Sequence, residues 1–146
     1  MKNIILLLST FIMTVSCRYE NTADCHQVLT FENTTNKHIY VSSSFKYPNT
    51  EAFKYHPDPL LSPVDSKIEA LEENTHILSG RTCYEVSLEN AESSIIMVYV
   101  FDGTTLETST WQTVKDNNLV LKRYDLTLED LEGMNWEIIY DGEKEN

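Results

Sequence analysis

The chain has 146 residues, 23 acidic against 11 basic side chains, and a formal net charge of −12. That excess of negative charge argues against nucleic-acid binding and against electrostatic attachment to anionic lipid, since both need clustered cations. The length suits one domain with a single core, and positively charged partners are allowed without being implied.

Residues 1–17 (MKNIILLLSTFIMTVSC) place one positive charge at Lys2 before an apolar run from Ile4 to Met13, then small and polar residues ending at Cys17. This is the layout of a secretory signal peptide, and its apolar part is shorter than the about 20 residues a spanning helix needs. Thr14-Val15-Ser16-Cys17 resembles the lipobox of bacterial lipoproteins. In that family the cysteine thiol takes a diacylglyceryl group, the signal is cut just before it, and the new amino terminus is acylated. The resemblance implies a signal peptide over 1–16, lipidation of Cys17 and a polar tether over 17–24. Several acyl chains anchor far more firmly than one. The alternative is an ordinary secretory peptide cut nearby. Arg18, where such lipoproteins carry Asp for inner-membrane retention, implies the outer membrane. Glu20 and Asp24 are similar to the acidic surface-export signals of Bacteroides-type lipoproteins, and the side of the membrane stays open.

The domain is expected over 25–141, with a charged tail at 142–146. With Cys17 lipidated, Cys25 and Cys83 remain, and an oxidising compartment favours a disulfide between them. Closing so long a loop would stabilise the fold by roughly 4 kcal/mol on the chain-entropy argument. A metal site of Cys25, His26 and Cys83 is the alternative, without the usual ligand spacings.

Gln27–Glu32 alternates as a strand, and Asn33–Lys37 is a turn whose Asn and Thr side chains can bond local backbone. His38–Phe45 is β-branched and aromatic and should pair with the first strand as a hairpin. Residues 46–63 hold all four prolines and form a long irregular loop. Ser66–Leu71 is a short strand or a turn of helix; Glu72–Asn74 reads as a turn, Thr75–Leu78 as extended, and Ser79-Gly80 as a break. Thr82–Leu88 alternates as another strand, with Tyr84, Val86 and Leu88 on one face.

Asn90–Ser93 turns the chain into Ile95–Phe101 (IIMVYVF), apolar throughout, the pattern of a central strand covered on both faces. Asp102-Gly103 suits a two-residue hairpin turn, with Thr104–Thr110 returning. Thr110 can cap a helix starting at Trp111 and ending at Asn117 or Asn118. Leu119–Leu126 alternates as a strand. Thr127–Gly133 has a capping hydroxyl, early acidic residues and a terminal glycine, and should put Leu128 and Leu131 on the core. Asn135–Tyr140 is the last strand. The expected fold is mainly β: a single antiparallel β-sandwich, Ig-like in one version although no Trp lies between Cys25 and Cys83, with two short helices near the C-terminus.

The stretch TWQTVKDNNLVLKRYDLTLEDLEGMNWEIIY (110–140), together with the lipobox, Thr30–Asn33 and the YVSSSF strand, resembles small lipoproteins of unknown function from Bacteroides and relatives. The resemblance implies localisation and a single domain, and brings no activity with it. No cofactor or metal is implied either. The four glycines stand apart from any phosphate loop, and Ser42-Ser43-Ser44 lacks a nucleophile elbow. His26, His38, His56 and His76 have no paired spacing. Glu69, Glu72 and Glu73 lack a calcium-loop pattern, and Asp125, Glu129 and Asp130 fit the charge preference of a helix start.

The aromatic set Tyr40, Phe45, Tyr47, Phe53 and Tyr55 is the most informative cluster. Either its rings cover a sheet edge, or Tyr47, Phe53 and Tyr55 grip a ligand. The reading that follows is a non-catalytic, lipid-anchored envelope module that binds a protein or glycan partner or supports an envelope assembly. The alternative is a carbohydrate-binding accessory lipoprotein using the aromatic loop. Trp111 and Trp136 are assigned to the core or to helix packing.

Overall fold

The computed structural model describes residue 22 and residues 24–49, 58–61 and 66–143. The expected signal segment, Cys17, the tether up to residue 21, Phe53, Tyr55, His56 and the end of the tail lie outside them. The strands are β1 (Val28–Asn33), β2 (Ile39–Ser44), β3 (Lys67–Ile68), β4 (Glu72–Ser79), β5 (Ile96–Asp102), β6 (Lys122–Leu126) and β7 (Glu137–Tyr140). Four short helices join them: α1 (Tyr84–Asn90), α2 (Gly103–Thr108), α3 (Trp111–Asp116) and α4 (Leu128–Gly133). Among the described residues no helix is long and apolar enough to cross a membrane.

The strands form two sheets, one ordered β4-β1-β7 and the other β3-β2-β5-β6. The mainly β expectation holds, but its finer points change. The described residues hold four α-helices where two short helices were expected, and β1 pairs with β7 in parallel, Phe31 opposite Ile138, so the three-stranded sheet is mixed. The expected hairpin of the first two strands does not form either. β1 pairs with β4 and β7, whereas β2 crosses to the other sheet and pairs with β3 and β5.

Asn33 makes that crossing possible. It is fully buried, and its amide donates to the carbonyls of Lys37 (2.7 Å) and Glu69 (2.9 Å), while its Oδ1 accepts from the Thr35 N–H (3.1 Å) and hydroxyl (2.8 Å). One buried side chain thus pairs all its own polar atoms and ties together backbone from two loops.

Period-two alternation builds the first core. Leu29 and Phe31 of β1, Ile39 and Val41 of β2, Ile96, Val98 and Val100 of β5, and Ile138 and Tyr140 of β7 gather between the sheets. Tyr84 and Leu88 of α1 and Leu131 of α4 join the same cluster. The opposite face of β2 and β5 presents Tyr40, Met97, Tyr99 and Phe101 to Leu106 of α2 and Val114 of α3. So β5 is buried on both faces, as its unbroken apolar run predicts.

Two expected strands are helices. Tyr84 and Leu88, four apart, are buried while Val86 between them is 43% exposed, which is helical spacing and not alternation. Asp102-Gly103 opens α2 instead of a hairpin: the Asp102 carboxylate accepts from the Thr105 N–H at 2.7 Å, as an N-cap does. Gly103 serves clearance, because a Cβ there would sit 2.1 Å from His38 Cδ2 and 2.7 Å from the His38 carbonyl.

The expected turn at Glu72–Asn74 lies inside β4. Its Asn74 Oδ1 accepts from the N–H groups of His76 and Ile77, and it supports the register shift between Leu29 and Phe31. The two capped helices fall where their hydroxyls point. Thr110 accepts from the Thr113 N–H, and Thr127 forms a reciprocal capping box with Asp130.

Candidate functional site

Cys25 and Cys83 are joined in a disulfide, with Cα atoms 5.0 Å apart. Their bond takes up both thiolates, so the metal alternative built on Cys25, His26 and Cys83 falls. The bridge ties the lead-in to β1 onto the start of α1, and the surrounding groups extend that tie. The His26 carbonyl accepts from the Tyr84 N–H at 2.7 Å. Glu85, in the first turn of α1, accepts from the His26 N–H (3.1 Å to Oε2) and lies 2.5 Å from His26 Nδ1. The His26 ring stacks on Trp136, with centroids 3.8 Å apart and planes within 10°. Burial works against ionisation of Glu85, but the hydrogen bonds from His26 outweigh it and hold the carboxyl below its ordinary value.

A second ionic group collects where β2, β3 and α2 meet. Tyr40 donates to Glu107 Oε1 at 2.9 Å, and Lys67 Nζ stands 3.4 Å from the same oxygen and 3.0 Å from Glu69. His38 Nε2 is 3.1 Å from Glu107 but has no hydrogen-bond geometry to it, so the contact is one of charge and proximity. Burial, then the Glu107 hydrogen bond, pushes the Tyr40 hydroxyl up to about 12. The Tyr40 hydrogen bond draws the Glu107 carboxyl down, with His38 and Lys67 adding to the effect.

Of the expected ligand-binding aromatics, Tyr47 is described. It is half-buried against the second core beside Leu60 and Trp111, closer to the edge-covering reading than to a free platform. Phe45 differs. Its half-buried ring stands 6.3 Å from that of Tyr84 and lines a cleft of about 260 Å³. The cleft opens between the ends of β2 and β4, the 80–82 turn and α1, and its wall includes Ser43, Ser79, Arg81, Thr82 and Ser87. Arg81 is exposed and has no carboxylate partner among the described residues, whereas Arg123 forks onto Asp125 at 2.8 and 2.9 Å. A larger hollow of about 430 Å³ lies between the Thr35–Lys37 turn and Tyr140–Gly142; Lys37 and Asp141 give it charges of both signs.

No known protein family, curated protein or solved structure matches the chain. What the structure assembles was partly present in the sequence. A Cys25–Cys83 bond by itself brings residues 26 and 85 near each other, so the His26–Glu85 pair follows from the bridge once Cys83 leads into a helix. The convergence of His38, Tyr40 and Lys67 on Glu107 had no such signal, because α2 stood where a returning strand was expected. Arg81 gave none either: only the fold leaves it without a carboxylate partner among the described residues.

Proposed function

We propose that this chain is a non-catalytic module of the cell envelope, anchored to the outer membrane by lipid on Cys17, that binds a partner or supports an envelope assembly. The Cys25–Cys83 disulfide carries the reading, since a bond of this kind belongs to an oxidising compartment beyond the inner membrane. It fits a lipobox eight residues upstream, with the fold pinned directly after a short tether. The partnered carboxylates Glu85 and Glu107 are both held toward the ionised form, which suits permanent ion pairs and not proton donation. The finer fold reading is a β-sandwich, supported by the core that both sheets share. Its Ig-like version has less support, because the disulfide runs to the cap of α1 instead of joining the two sheets.

Fractionation of cells carrying the native chain or Cys17→Ala tests the anchor. The native chain is expected with the outer membrane and the variant in the soluble fraction; equal partition of the two refutes it. Protease shaving of intact cells then assigns the side: cleavage with a periplasmic control intact means an outward domain, and protection means a periplasmic one.

The second reading is a carbohydrate-binding accessory lipoprotein using Tyr47, Phe53 and Tyr55. Its support is the adjacent Phe45, which turns an aromatic ring toward a cleft walled by hydroxyl-bearing residues. Saccharide binding that survives replacement of all three loop aromatics by Ser would remove that loop from the site.

A further inference from the structure

We infer that the cleft between Phe45 and Arg81 is a binding site for a singly charged, polyhydroxylated carboxylate of about one pyranose ring, the chemistry of a hexuronic acid. The inference deepens the saccharide-binding reading and rests on it, but places the contact at this cleft instead of the 47–55 loop.

Three observations converge. Size comes first: about 260 Å³ lies just under the roughly 300–1,000 Å³ of drug-sized ligand sites, enough for one ring and not for a chain. The lining is mixed in the way a sugar needs. Phe45 supplies an apolar face, and Ser43, Ser79, Thr82 and Ser87 bring short polar side chains around it. The Ser79 hydroxyl donates to the His76 carbonyl at 2.7 Å and keeps its acceptor lone pairs for a ligand. Charge is the third observation. Arg81 lines the cleft with no carboxylate on it among the described residues, in an acidic chain. Glu85, the acidic residue nearest to it in sequence, is turned onto His26.

The net charge of −12 narrows the ligand further. A polyanion would be repelled by the whole molecule, whereas one carboxylate forked onto one guanidinium is compensated locally. The guanidinium matches a carboxylate with two parallel N–H donors, a fit that a neutral ligand would not use.

The test is an NMR titration of the full chain in detergent micelles with D-glucuronate, using D-glucose and acetate as controls. Glucuronate is expected to shift the amides of Ser79–Thr82 and Ser87, to bind more tightly than acetate through its ring contacts, and to bind about ten- to hundredfold more tightly than glucose, the range of one charge-assisted hydrogen-bond pair. Arg81→Gln, at an exposed position, should keep the thermal midpoint and lose that advantage, Arg81→Lys should retain part of it, and Phe45→Leu should weaken glucuronate and glucose alike. Shifts no larger than those with acetate, equal affinity in Arg81→Gln, or shifts confined to other residues would overturn the inference. Tighter binding of a glucuronate-capped oligosaccharide would overturn the single-ring assignment. If glucuronate fails while saccharide binding persists and is lost on replacing Tyr47, Phe53 and Tyr55 by Ser, this inference falls and the loop reading stands; if no saccharide binds at all, the saccharide-binding reading falls with it.

Discussion

Asn33 does the work of a short backbone segment. Truncation to Ala would leave the Glu69 carbonyl without its donor and the Thr35 N–H without its acceptor, while the Lys37 carbonyl keeps the Thr35 hydroxyl. Unsatisfied buried groups cost about 1–3 kcal/mol each, so Asn33→Ala should lose about 3 kcal/mol, read as a lower urea midpoint. Asn33→Asp should also destabilise the fold, because a carboxylate cannot donate to the two carbonyls. Glu85 makes a pH-dependent contribution. Its folded carboxyl is held below the ordinary 4.5, so the folded state binds fewer protons than the unfolded chain through that range. The stability it adds is fully present above about pH 4.5 and is lost as the pH falls through the lower folded value. The difference in unfolding free energy between the native chain and Glu85→Gln should therefore shrink on acidification below that point; a constant difference would separate the carboxylate from the His26 clamp.

At the scale of the element, α1 decides how its residues should be valued. As a strand it would bury Tyr84, Val86 and Leu88 together; as a helix it buries Leu88 and frees Val86. Leu88→Ala should cost about 2–5 kcal/mol, while Val86→Lys should stay within about 0.5 kcal/mol, and chemical denaturation of the two variants separates the alternatives. The same comparison shows what was legible beforehand. Elements with a local cause were readable: β1 by alternation, β5 by its apolar run, α3 and α4 by Thr110 and Thr127. The misread segments carried signals with two physical meanings. Asp102-Gly103 is both a hairpin turn and a helix cap followed by a residue small enough to pass the His38 ring. Asn74 bonds backbone N–H groups at a bulge as readily as at a reversal. In TCYEVSL, two apolar positions four apart and a third between them satisfy both periods, and burial alone chooses. The candidate cleft was the least legible part, since it joins residues 43–45 to residues 77–87, and the second stretch ends in a helix where a strand was expected.

For the whole molecule, the disulfide is the main covalent constraint on the unfolded chain. It closes a loop with a sequence separation of 58, and the chain-entropy argument gives it about 4 kcal/mol. Reduction should lower the unfolding free energy by that order and expose the lead-in to β1 to protease cleavage before the sheets open. An unchanged midpoint after reduction would assign the clamp to His26, Glu85 and Trp136 alone. Strand pairing, unlike strand existence, was not written locally: the partners of β1 are β4 and β7, both distant, while its neighbour in sequence joins the other sheet.

The parallel pairing of β1 with β7 also fixes an order of events. Thr34 bonds the carbonyl of Tyr140, 106 residues later. Until β7 is in place, β1 lacks one of its two neighbours. Leu29 and Phe31 wait meanwhile without the wall that Ile138 and Tyr140 complete. Completion of the first core therefore waits on the pairing of β1 with β7, the two described strands furthest apart in chain order, whatever forms before it.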